Sequence, residues 1–243
     1  VVHLAFVRKV TQEGVAPSGD RWIVDKVNVV QKCLEPTEVT SSNQDVTTMS
    51  LNWKDIPGDA WDVAYFPQGT TTFDGTPTLS NITLANTPNL AEETANNYEL
   101  DLTNLTPDTI YEYWVRTSCS ADNKSIWVGP KIFITLPYGS TCNGAIQVAS
   151  LPYQTSANTG NYSDLVDVAQ GTGCGATPAG TNYMDGNEVF YTYTPTTSGM
   201  ISVKLTPTGP NSSVFIYQGC PVGGNCLGGA ASTNSNVRFI DNF

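Results

Sequence analysis

The chain has 243 residues, with 22 acidic against 11 basic side chains, a formal net charge of −11, 14% charged residues and 40% hydrophobic ones. That balance excludes tight wrapping by nucleic acid and electrostatic adhesion to an anionic membrane, while five Trp, eleven Tyr and eight Phe exclude a disordered chain. No stretch approaches the ~18 consecutive apolar residues of a membrane helix, so no membrane insertion is expected. Neither a basic n-region nor an apolar h-region opens the chain, and both ends fall inside alternating apolar runs. It reads as an excerpt of something longer.

Charge divides the sequence into three segments: five bases and three acids in residues 1–32, four and fourteen in 33–137, two and five in 138–243. In the first, residues 2–10 and 21–30 read as two strands split by Gly14, Pro17 and Gly19. Two strands bury no core alone, so they are expected to close a domain that begins earlier. In the second, residues 46–53 put Met49, Leu51 and Trp53 on one face, and Trp61, Val63 and Tyr65 alternate after a turn at Pro57-Gly58. Residues 97–102 form a third run. Residues 109–119 set Tyr111, Tyr113 and Val115 against Glu112, Trp114 and Arg116, and 131–136 put Ile132 and Ile134 on one face. The only helical signal, at 89–96, is a loop or a single turn. The third segment holds fifteen of the 21 glycines; residues 188–194 and 200–205 read as a hairpin, with further strands at 213–217 and 237–243. Short strands spaced by turn residues predict an all-β chain of tandem β-sandwiches.

The residues offer little catalytic chemistry. The single histidine, His3, lies in a predicted strand without a nucleophile and acid beside it, which argues against a Ser-His-Asp or Cys-His centre. Cys142, Cys174, Cys220 and Cys226 are not spaced as paired zinc-binding turns. No phosphate-cradling glycine motif is present, and the tract 219–229 reads as a flexible loop. Asp164, Asp167 and Asp185, with Glu188, are candidate oxygen ligands for calcium, which takes six to eight oxygens from irregular loops; solvated turn acids are the preferred alternative. Trp114 and Trp127 are candidate stacking platforms for sugar rings. For Trp114, packing against another face or a neighbouring domain is preferred.

The stretch Leu105-Thr106-Pro107-Asp108-Thr109-Ile110-Tyr111-Glu112-Tyr113-Trp114-Val115 resembles the turn and F strand of fibronectin type III domains. The resemblance covers residues 33–137. It implies a structural role for Pro107 in the turn, for Tyr111 as a corner tyrosine returning its hydroxyl to nearby backbone, and for Trp53 as the strand-B core tryptophan. Residues 6–29, with Asp20-Arg21-Trp22-Ile23-Val24-Asp25-Lys26-Val27, resemble the end of a MAM-like or cleaved-adhesin jelly roll, with Lys26 where the family keeps an Asp. Residues 138–243, with Thr141-Cys142-Asn143-Gly144-Ala145 and the run 186–195, resemble pre-peptidase C-terminal β-sandwiches. The series resembles very large bacterial surface proteins exported by the type IX system. The domains expected are therefore 1–32, the closing strands of a jelly roll; 33–137, a fibronectin type III-like sandwich; and 138–243, a third β-sandwich.

Six cysteines allow fifteen pairings. On the fibronectin-like frame, Cys33 at the entrance and Cys119 at the end of strand F can lie at one end of the sandwich. Cys220 and Cys226 then close a short loop, leaving Cys142 with Cys174. Full pairing implies an oxidising compartment, hence an extracellular or cell-surface location. The expected function is non-catalytic: adhesin or spacer modules of a large surface protein, with neighbouring domains of the same polypeptide as partners, and surface glycans or proteins as further ones. The alternative is an accessory carbohydrate- or protein-binding region of a secreted hydrolase whose catalytic domain lies elsewhere.

Overall fold

The computed structural model describes residues 3–5, 26–27, 32–55, 60–167, 174 and 182–241. The chain separates into two units, Val1–Lys32 and Cys33–Phe243. In the first, residues 3–5, 26 and 27 carry no regular secondary structure; the remainder of the strands expected there lies outside the described residues, as does the Pro57-Gly58 turn.

The second unit opens with β1 (Thr37–Ser42), β2 (Met49–Lys54), β3 (Trp61–Pro67), β4 (Leu79–Ile82), β5 (Leu90–Thr94), β6 (Asn97–Leu102), β7 (Ile110–Ser120), β8 (Asn123–Lys124) and β9 (Val128–Ile134). One sheet has the order β1-β2-β6-β5; the other runs β4-β3-β7-β8, with β9 also paired to β7. All these pairs are antiparallel. The period of two in the sequence places Met49, Leu51 and Trp53 inward from one sheet and Val63, Tyr111, Tyr113 and Val115 inward from the other, where they meet in a single core. Trp61 lies between Trp53 and Tyr98, with ring centroids 5.6 and 4.3 Å away. This is a two-layer β-sandwich.

Residues 89–96, the one helical signal, are instead β5 and the turn to β6. Leu90 is 5% exposed in the core and pairs with Leu100, and Asn96 turns the chain at φ 67°. Burial of one leucine against a preformed strand outweighs the local propensity of the polar residues that follow it.

The rest of the unit is also β: β10 (Ile146–Gln147), a 3-10 turn at Thr159–Asn161, β11 (Tyr191–Thr192), β12 (Val203–Leu205), β13 (Ser212–Gln218), β14 (Asn225–Ser232) and β15 (Arg238–Ile240). The expected hairpin of 188–194 with 200–205 does not form. β11 pairs in parallel with β10, and β12 pairs with β15. The glycine tract expected to be a flexible loop enters β14, which pairs with β13 from Ser212↔Ser232 to Gln218↔Asn225. Its glycines serve close approach: a Cβ on Gly229 would lie 2.3 Å from the Cys174 carbonyl oxygen and 2.4 Å from the Phe215 ring.

That hairpin corrects two of the three expected disulfides. Cys33 is bonded to Cys119, but Cys142 is bonded to Cys220 and Cys174 to Cys226. Cys226 sits inside the ladder opposite Tyr217, whereas Cys220 lies in the turn closed by the Gly224 amide donating to the Cys220 carbonyl at 2.8 Å. The two residues therefore belong to different parts of the hairpin, and each meets a cysteine from a distant segment.

Candidate functional site

Asp164, Asp167 and Asp185 are brought together: one carboxylate oxygen from each lies within 4.8 Å of the others, and all three side chains are exposed. Two loops position them. The Glu188 carboxylate accepts hydrogen bonds from the amides of Leu165 (3.3 Å) and Val166 (3.0 Å), so it clips the loop carrying Asp164 and Asp167 to the loop carrying Asp185. The Glu188 amide donates to the Ser163 carbonyl at 3.3 Å, and the Asn182 side chain donates to the Asp167 carbonyl at 3.2 Å. Glu188, a fourth candidate ligand in the sequence, thus positions the loops. The charge of Asp164, reinforced by that of Asp185, pushes the Asp167 carboxyl above its usual range. Burial does the same for Glu188, against the two amides it accepts from. The three aspartates could hold a hard cation, supplying a minority of the oxygens that calcium takes.

The second candidate is the aromatic face. Trp114 points away from the sandwich core, as the alternation of β7 requires, yet it is only 6% exposed. The β3–β4 connection folds over it, with Phe73 stacked on its ring at 4.2 Å, and Phe66 of β3 lies at 5.2 Å. Gly129 closes the remaining side, since a Cβ there would fall 2.5 Å from the indole Cδ1. Trp114 is a packing residue with no ring face left for a sugar. Trp127 is half-buried, edge-on to Phe73 at 5.2 Å, and the Arg116 guanidinium lies 4.3 Å from its ring centroid.

Arg116 continues this arrangement into a buried charge cluster that no sequence motif singles out. Asp62 is fully buried and accepts from Arg116 Nε at 2.9 Å, Lys124 Nζ at 2.8 Å and the Asn81 amide at 2.8 Å. Burial alone would raise its carboxyl, but Lys124, the Asn81 amide and Arg116 together hold it below the usual carboxylate range. An acid set between Trp61 and Val63 in an apolar run is the available signal.

The residues given structural roles lie as follows. The Thr106 amide donates to the Tyr111 hydroxyl at 2.9 Å, and the Pro107 carbonyl accepts from the Thr109 hydroxyl at 2.7 Å. Trp53 is 1% exposed in the core. His3 is exposed.

No protein-family model matches the chain, and no curated protein matches it. Among solved structures it is similar to fibronectin type III domains. One is the fn3 domain of human contactin 1, at 17% identity over 58% of this chain and 99% of that one, with a TM-score of 0.34. Another belongs to the human collagen alpha-1(XX) chain, at 14% identity over 46% and 93%, TM-score 0.33. The FN5 domain of Drosophila Lar is 16% identical over 42% and 94%, TM-score 0.31. Such low scores add nothing to the strand pairing, which by itself defines the sandwich.

Proposed function

We propose that the chain is a non-catalytic, exported segment of a large modular surface protein, whose β-modules space and present adhesive or catalytic parts carried elsewhere on the same polypeptide. The observation that carries this reading is the cysteine pairing: all six cysteines are bonded. Bonds of this kind persist in an oxidising compartment and are rare in a cytosolic protein. The two-sheet sandwich of residues 33–137 supports the modular part, because such sandwiches recur as units in cell-surface chains. The adhesin and type IX parts rest on the motif resemblance alone.

The carbohydrate-binding alternative loses its leading platform, because Phe73 and Phe66 occupy the ring of Trp114. The calcium expectation stands on Asp164, Asp167 and Asp185, and it is separable from the spacer reading. Thiol titration of the native, unreduced protein tests the proposal. No free thiol is expected, and six free thiols in correctly folded protein would overturn it.

A further inference from the structure

Residues 136–144, Leu-Pro-Tyr-Gly-Ser-Thr-Cys-Asn-Gly, have the composition of a flexible linker between two modules. Their structure is of another kind. The Leu136 amide donates to the Asp45 carbonyl at 3.1 Å, so the segment is fastened at its start to the β1–β2 connection. The Asp45 carboxylate oxygen Oδ1 then accepts from both the Val46 amide and the Thr141 hydroxyl, each at 2.7 Å. Thr141 Oγ1 in turn accepts from the Gly144 amide at 2.9 Å. The Gly139 amide closes the loop on the Gly144 carbonyl at 2.8 Å, and the Gly139 carbonyl accepts from the Phe190 amide at 2.9 Å.

Packing is as tight as the hydrogen bonding. Val46 is 1% exposed and Ser140 fully buried. A Cβ on Gly144 would lie 2.2 Å from Val46 Cγ2. On Gly139, at φ +98°, a Cβ would come within 3.0 to 3.1 Å of Ile146, Tyr162 and Val189. Cys142, in the middle of the segment, is bonded to Cys220. A true linker leaves its backbone to water and allows its modules to reorient. Here Leu136 bonds through its amide and carbonyl to one neighbour and Gly139 through its carbonyl to the other, while the Gly139, Ser140 and Gly144 amides bond within the segment; bending it would break these hydrogen bonds and uncover Val46.

We propose that residues 136–144 are a fixed joint. Through it, residues 33–137 and 138–243 reorient as one body, with Asp45 and Thr141 as the hydrogen-bonded pin to residues 33–137 and the Cys142–Cys220 bond as the covalent lock of the segment onto the rest of residues 138–243. The lock rests on the oxidised state proposed above; the joint itself goes beyond that reading. A segment built this way holds residues 138–243 at a set direction from residues 33–137.

Amide relaxation measured by NMR on the whole chain tests the joint. The wild-type protein is expected to give one common rotational correlation time for residues 33–137 and 138–243. Asp45→Ala, which removes both hydrogen bonds to Oδ1, Gly144→Val, and the double change Cys142→Ser with Cys220→Ser should each lose that common value. Signals from β1 to β9 report whether each variant remains folded, and Asp45→Ala keeps the test informative if Gly144→Val does not fold. Two separate correlation times in the wild-type protein with every disulfide formed would overturn the joint while leaving the exported-spacer reading untouched. A common value retained in folded Asp45→Ala and Gly144→Val would overturn the roles given to those residues. Free cysteines in native protein would strike the export reading and the lock together.

Discussion

Asp62 on β3 and Lys124 on β8 stand 62 residues apart in the sequence and 2.8 Å apart in space. The carboxylate is fully buried, while the Lys124 and Arg116 side chains are 25% and 19% exposed. Removing the anion leaves two cations facing each other beside a half-buried tryptophan. Asp62→Asn should cost about 2 kcal/mol, below the range for a wholly buried pair because water reaches both partners. The pH dependence follows from the lowered carboxyl. Its contribution is fully present above the ordinary value of 3.8 and is lost as the pH falls through the lower folded value. Urea titrations from pH 7 to pH 2 should show wild type and variant converging in acid. An undiminished gap at pH 2 would contradict this account.

Gly129→Ala probes the second packing layer. The added methyl would meet Trp114 Cδ1 at 2.5 Å and the Tyr113 carbonyl at 2.7 Å, on a backbone at φ +151°. Overpacking and backbone strain together should destabilise by about 2 kcal/mol or more. Thermal melting measures the loss, and unchanged stability would mean that the Trp114 layer is loose.

The Tyr111 corner should behave more mildly. Tyr111→Phe keeps the ring, which stacks 5.0 Å from Phe133, and removes only the acceptor of the Thr106 amide. A loss of about 1 kcal/mol is expected. Tyr111→Leu, which also removes the stacking, should cost clearly more, and equal losses in the two variants would show that the stacking adds nothing beyond the hydrogen bond.

Peptide mapping without reduction should recover Cys33–Cys119, Cys142–Cys220 and Cys174–Cys226. These bonds join residues 86, 78 and 52 positions apart. In the chain-entropy model each closure of that length stabilises by about 4–5 kcal/mol taken singly, against roughly 2 for a six-residue loop between Cys220 and Cys226. Recovery of a Cys220–Cys226 peptide would reject the β13–β14 arrangement.

For the aspartate cluster, calcium itself is the probe. The raised Asp167 carboxyl means that the folded state holds its proton to higher pH than the unfolded chain. The associated stability is present in acid and falls away as the pH rises through the raised value. Asp167→Asn should therefore melt at or above the wild-type temperature in EDTA at neutral pH. Millimolar calcium should raise the melting temperature of wild type and leave the variant unmoved, since an ion bound only to the folded state stabilises it. Absence of any calcium shift in wild type would remove the cation assignment.

The sandwich is legible in the sequence where its strands alternate with a period of two and its turns carry their own chemistry: Met49, Leu51 and Trp53 face inward as their spacing requires, and Tyr111 reaches Thr106 as its motif implies; β9 reads less well, since Ile132 and Ile134 share an exposed face while Phe133 enters the core. The three aspartates stand close together along two loops of the sequence, and in the structure they converge. What escapes a sequence is non-local. Cysteine partners depend on which strand each hairpin places beside which, and nothing near Cys220 in sequence points to Cys142. The same applies to Asp62, whose two cations arrive from β7 and β8. The glycine tract misleads because glycine suggests conformational freedom, while at Gly229 it is needed for its small size.

The packing of Phe73 and Phe66 on Trp114 changes the standing of β7. An antiparallel sheet commonly keeps one wet face, but along β7 Tyr111, Tyr113 and Val115 are buried on one side and Trp114 on the other. The strand is the middle of three layers at that level. A systematic substitution scan should see two interleaved sets of intolerant positions there, so neither face of the central strand is free to drift in sequence, and surface redesign of the module has to begin on the β1-β2-β6-β5 sheet.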